Sequence, residues 1–231
     1  ANVTAFEKIT TVGYAAGLDI ILNDGNIGAG KTLTIDATSF DDDVLTFSGV
    51  NETSGSIVIT ADGTGDHQII LGNGADTYTS TSSAGEDVTA TAGNNTISTG
   101  GGADIVIAGT DDDNVTLGTG NDTISFATAN LTSGDTVNGG SGTDIVQMTD
   151  DATVVDSDFT NMTLVETLTG SGAAVSLTAT LGAEALEAGI VTVTTTDTGA
   201  ADSITVASGY TGTLTVNVDS DDINAGTNTI T

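Results

Sequence analysis

The chain of 231 residues carries 32 acidic side chains against two basic ones, Lys8 and Lys31, for a formal net charge of −30. A phosphate-binding surface needs basic residues, so nucleic acid is excluded as a partner, and an anionic membrane is excluded unless cations bridge to it. Cysteine is absent, so no disulfide supports the fold, and no apolar run is long enough for direct membrane insertion.

Hydrophobic residues still make up 37% of the chain, too many for simple disorder. Many are β-branched and lie in short alternating runs, which predicts strands. No signal peptide is recognisable. A start at Ala1 without methionine reads as a fragment or processed product.

Residues 1–61 read as a β-strand cassette, with FEKITTVGYAAGLDIIL (6–22) and the start of GSIVITAD (55–62) as its clearest segments. The cluster Asp41, Asp42 and Asp43 fits a solvated turn better than an accessory ion site.

From 62 to 147 the chain falls into blocks of nine. TGGGADIVI (99–107), AGTDDDNVT (108–116) and LGTGNDTIS (117–125) stack in register, with Asp104, Asp113 and Asp122 at the sixth position and Val106, Val115 and Ile124 at the eighth. The phase runs back through Asn95, Glu86, Asp76 and His67. It resumes after an inserted Phe126–Ala129 with Asp135 and Asp144.

Each block reads as a six-residue turn followed by a three-residue strand. Glycines permit the positive φ of a tight turn and let carbonyls face an ion. They recur as Gly72 and Gly74, Gly100 and Gly102, Gly109, Gly118 and Gly120, and Gly140 and Gly142. The aspartate supplies a hard oxygen of the kind calcium selects. Turn-capping aspartates alone do not explain a nine-residue phase. The eighth residue is expected to be the one steady core contribution, and Tyr78 falls in such a slot. Asp111 adds charge where glycine is usual. His67 is the only histidine; without cysteine or a second histidine it is expected to be a satisfied turn residue rather than a zinc ligand. Thr96, Ser98, Thr116, Thr123 and Ser125 suggest a hydroxyl face for ice or sugar, but Ile105 and Ile107 interrupt it, and strand propensity explains it better. Tyr14 and Tyr210 have no assigned place.

Residues 148–231 read as a second cassette ending in the start of another nonapeptide. VETLTGSGAAVSLTAT (165–180) parallels 6–22, pairing Glu166 with Glu7 and Ala173-Ala174 with Ala15-Ala16, and GTLTVNVD (212–219) parallels 55–62. LGAEALEAGI (181–190) suits a helical turn, and Asp219, Asp221 and Asp222 a solvated one. INAGTNTIT (223–231) fits the nonapeptide again through Gly226, Asn228 and Ile230.

The blocks resemble the RTX (hemolysin-type) nonapeptide G-G-x-G-x-D-x-U-x. That resemblance implies an all-β fold, a parallel β-roll or β-solenoid with the cassettes flanking it. Two blocks would make one coil, and calcium ions would sit between stacked turns. One ladder would be His67, Glu86, Asp104, Asp122 and Asp144; the other would be Asp76, Asn95, Asp113 and Asp135. Sites at His67, Glu86 and Asn95 depart from the pattern. Metal binding would then supply folding free energy to a thin core. The resemblance extends to bacterial S-layer proteins and large RTX adhesins, and implies type I secretion to the bacterial exterior or cell surface.

The expected function is a calcium-binding structural module that self-associates into a lattice or filament. The alternatives are an extender or ligand-binding region of an adhesin, or a module attached to an enzyme. No HExxH is present, and scattered lysines and one histidine suit a sugar lyase poorly, so the chain itself is not expected to be an enzyme.

Overall fold

A computed structural model describes residues 8–10, 17–39, 43–171, 175–195, 201–218 and 229–231. The fold is a parallel β-solenoid. Through Met148 strands alternate between two sheets, so each pairs with the strand two ahead of it until a third sheet enters.

The first sheet comprises β1 (Lys8–Thr10), β3 (Thr32–Ala37), β5 (Ser56–Ala61), β7 (Thr77–Ser80), β9 (Thr96–Ser98), β11 (Asn114–Thr119), β13 (Thr136–Ser141) and β16 (Met162–Thr163). The second runs β2 (Leu18–Ile21), β4 (Leu45–Ser48), β6 (Gln68–Ile70), β8 (Asp87–Thr89), β10 (Ile105–Ile107), β12 (Thr123–Phe126), β14 (Ile145–Met148), β17 (Thr167–Gly170), β19 (Thr192–Thr195) and β21 (Thr215–Val218). A third sheet of β15 (Ala152–Val154), β18 (Leu177–Leu181), β20 (Ser203–Val206) and β22 (Thr229–Ile230) opens in the C-terminal part, and there β13, β14 and β15 pair with the strand three ahead.

The nine-residue phase sets the register. In the second sheet Val88, Val106, Ile124 and Val146 lie side by side. In the first, Tyr78, Ile97, Val115 and Val137 do the same. All are buried in one core that runs along the roll. The core is richer than one residue per block, because Leu71, Ala90, Ala108 and Leu117, which open their turns, are buried as well. Each stands two residues after an inward Ile69, Val88, Val106 or Val115, so the two-residue alternation of an extended chain turns it to the core as well.

The sheets continue through the expected segment limits. β5 pairs with β7 and β14 with β17, so ladders cross residues 61 and 148. The insertion at Phe126–Ala129 is absorbed in a turn where the amides of Asn130 and Leu131 donate to the Ala127 carbonyl. Phe126 itself is buried.

The two cassette copies occupy opposite sheets: β1 and β5 lie in the first, while their sequence counterparts β17 and β21 lie in the second. A helix, α1 (Ala183–Ala188), forms where a helical turn was expected. Asp156 holds its start, accepting from the amides of Gly182 at 2.7 Å and Ala185 at 2.9 Å, and Gly189 ends it at φ 109°. Tyr210 is buried and donates to the Ile190 carbonyl at 2.6 Å. Tyr14, Glu7, Asp41, Asp42, Asp219, Asp221, Asp222, Gly226 and Asn228 lie outside the described residues.

Candidate metal centre

The sixth residue of each block closes its turn and reaches back to the preceding coil. The turns join one sheet to the other, so alternate blocks stack on the same side of the roll and two rows result.

In the first row, the amide of Glu86 donates to Asp104 Oδ1 at 2.8 Å, that of Asp104 to Asp122 Oδ1 at 2.8 Å, and that of Asp122 to Asp144 Oδ1 at 2.9 Å. In the second, the amides of Asp76, Asn95 and Asp113 donate to Asn95 Oδ1, Asp113 Oδ1 and Asp135 Oδ1 at 3.0, 2.9 and 3.0 Å. Every one of these side chains is buried. Each carboxylate thus satisfies a backbone donor one coil away, and the phasing seen in the sequence is the spacing of those donors.

Both rows extend beyond the nonapeptides. The amide of Asp144 donates to Glu166 Oε2 at 2.8 Å, and that of Ile27 to Glu52 Oε2 at 3.0 Å. Neither glutamate was singled out as a row member from the repeat. Glu166 stands out in the sequence only as a match to Glu7, because it lies 22 residues beyond Asp144 rather than a multiple of nine, the same step that separates Asp144 from Asp122.

His67 holds its row position without charge. Its Nδ1 accepts from the Leu45 amide at 3.0 Å, and Nε2 lies 3.1 Å from the Asp62 carbonyl, which assigns the proton to Nε2. Burial lowers its pKa. Glu86 accepts from the hydroxyl of Tyr78, itself wholly buried, at 2.5 Å.

Burial dominates the electrostatics. It pushes the carboxyls of Asp76 and Asp122 up to about 6 and that of Glu86 up to about 7. It also raises Asp104, Asp113, Asp135 and Asp144. A site that resists ionisation this way is short of positive charge.

The residues present fit a cation. Asp104 Oδ2, Asp122 Oδ2, Asp144 Oδ2 and Glu86 Oε1 are buried without a hydrogen-bond partner. Leaving such an oxygen unpaired is costly unless an ion or a proton meets it. Among the described residues, no three acidic or histidine side chains converge on one point. A calcium ion, wanting six to eight oxygens, would therefore draw on main-chain carbonyls as well. The glycines supply that approach: a Cβ on Gly118 would lie 2.0 Å from the Gly100 carbonyl oxygen, and one on Gly140 2.0 Å from that of Gly118.

The remaining candidates are placed as follows. Gly72, Gly74 and Gly109 lie in turns of the second row. Asp111 is exposed at φ 74° and accepts from the Gly93 amide at 3.0 Å. The hydroxyl row divides between sheets, with Thr96, Ser98 and Thr116 on the first and Thr123 and Ser125 on the second.

The class this defines is a parallel β-roll with buried carboxylates in stacked, glycine-rich turns. A family model, the RTX calcium-binding nonapeptide repeat, matches the chain in four copies over residues 89–124 and 133–147. Residues 89–124 and 133–147 are therefore RTX calcium-binding nonapeptide repeats, and the ion of those repeats is calcium. The match leaves out 62–88, where His67 and Glu86 replace aspartate. No curated protein and no solved structure matches the chain.

Proposed function

We propose that the chain is a calcium-stabilised structural module of a secreted bacterial surface protein that self-assembles into a lattice or filament. The carrying observation is the run of Asp104, Asp122 and Asp144, each buried with one carboxylate oxygen unshared. These groups form part of the scaffold, so an ion held there joins coil to coil. When bound, calcium supplies the positive charge that the turns lack. The cassettes at 1–61 and 148–231 are read as extensions of the roll at 62–147 that carry it into a longer rod.

Self-association is supported by the charge of −30 and by parallel sheets running the length of the described solenoid. Dense acids on neighbouring copies repel, and two like charges at 4 Å cost about 1 kcal/mol in water. Divalent cations turn that repulsion into adhesion. Among the described residues, no helix is long and apolar enough to cross a membrane.

The test is light scattering with electron microscopy on the full-length protein across calcium concentrations. Ordered growth with calcium is expected. A folded monomer at saturating calcium refutes the assembly reading and leaves an adhesin extender or an enzyme-attached roll.

A further inference from the structure

We propose that calcium loads one row of turns and not the other: the row of Asp104, Asp122 and Asp144 holds the ions, while the row of Asp76, Asn95, Asp113 and Asp135 is closed by its own hydrogen bonds. This rests on the reading of the roll as a calcium-binding module and goes further, by dividing repeats that share one motif.

Two independent features separate the rows. The first is the second carboxylate oxygen. In the Asp104 row it has no hydrogen-bond partner at any of the three aspartates. The Thr99 hydroxyl near Asp104 gives its proton to the Leu117 carbonyl instead, at 2.8 Å. In the opposite row that oxygen is already used. Asp76 Oδ2 accepts from the Gly72 amide at 3.0 Å, Asp113 Oδ2 from the Gly109 amide at 3.3 Å, and Asp135 Oδ2 from the Thr132 amide at 2.9 Å. Asn95 brings no charge, and its Nδ2 donates to the Gly93 carbonyl at 2.7 Å and Asp113 Oδ1 at 3.0 Å. An ion entering here would have to displace amide donors that already satisfy those oxygens.

The second feature is the main chain. Turns of the Asp104 row each carry two left-handed glycines: Gly100 and Gly102 at φ 98° and 114°, Gly118 and Gly120 at 101° and 147°, Gly140 and Gly142 at 99° and 143°. In the opposite row, Gly93 at 90° and Asp111 at 74° stand alone in their turns.

The motif does not predict this split. LGNGAD (71–76) and LGTGND (117–122) have the same Gly-x-Gly-x-Asp spacing. Yet Gly72 and Gly74 are not left-handed, whereas Gly118 and Gly120 are. Gly118 and Gly120 stack on another nonapeptide turn, while Gly74 abuts the carbonyl of Gly55, in the first cassette.

The experiment compares Asp122→Asn with Asp113→Asn in chelator-stripped full-length protein, counting bound calcium by titration calorimetry. Both changes remove one negative charge, so long-range attraction falls alike. Asp151→Ala, at an exposed position, is the control. Asp122→Asn is expected to lose at least one ion per chain, and Asp113→Asn and Asp151→Ala none. Anomalous diffraction from calcium-soaked wild-type crystals gives the same answer without relying on variant folding: peaks beside Asp104, Asp122 and Asp144 alone support the proposal. Loss of ions from Asp113→Asn, or a peak beside Asp113, overturns the division between rows but leaves the calcium module standing. A wild-type chain that binds no calcium overturns both.

Discussion

Adding one methyl group at Gly120 tests the stacking of the turns directly. The residue sits at φ 147°, and a Cβ there would fall 1.5 Å from the Gly102 carbonyl oxygen. The obstacle is backbone, so no side chain can swing away. Real contacts need about 3 Å, so the turns must part by roughly 1.5 Å. That movement breaks hydrogen bonds between these two turns, such as Gly102 N–H to Thr119 O at 2.9 Å or Thr119 N–H to Gly100 O at 3.0 Å. A buried donor left unsatisfied costs about 1–3 kcal/mol. The forced backbone conformation adds about 1–3 kcal/mol. Gly120→Ala should therefore destabilise the roll by about 2–6 kcal/mol, a large share of the roughly 5–15 kcal/mol holding a typical domain. Gly25→Ala is the matched control. It also has positive φ, 82°, but a Cβ there meets nothing within 4 Å. It should cost only the left-handed penalty of about 1–2 kcal/mol. Urea denaturation at saturating calcium measures both. Equal losses for the two variants would refute close stacking of the turns.

Chelating calcium with EGTA should remove most of the β circular dichroism, restored by calcium and poorly by magnesium, which keeps its waters and octahedral geometry; an unchanged spectrum refutes calcium-dependent folding. In calcium-free protein, acid should stabilise rather than unfold. Burial lifts Asp76 and Asp122 to about 6 and Glu86 to about 7, from ordinary values of 3.8 and 4.5, so the folded state binds more protons across that window. Stability is fully present below about 4 and is lost as pH rises through 6 to 7; melting temperatures that fall between pH 7 and 5 without calcium would contradict this. With calcium bound the trend reverses, because its ligands must be ionised. Tyr78→Phe removes the donor to Glu86 Oε2 and should cost about 1–3 kcal/mol in urea denaturation; no change would mean the contact contributes nothing.

Much of this molecule is legible in one period. A nine-residue block places Val106, Val115 and Ile124 inward and Asp104, Asp113 and Asp122 at turn ends, because each block is one strand and one turn. Tyr78 as core follows from the same phase, and His67 as a satisfied turn residue from the lack of cysteine or a second histidine. Some features have no local signature. Glu52 and Glu166 join the rows through amides in neighbouring coils, and the third sheet of β15, β18, β20 and β22 has no counterpart in the repeat.

The sequence by itself determined the coil, its inward side chains and the family of the ion. It could not say which carboxylate oxygens remain unshared. One oxygen of each carboxylate meets an amide 18–22 residues away in the preceding coil, and the other depends on the turn's own amides, whose direction depends on φ. That conformation differs between the like-spaced Gly-x-Gly-x-Asp segments at 71–76 and 117–122, and nothing in the spacing marks the difference.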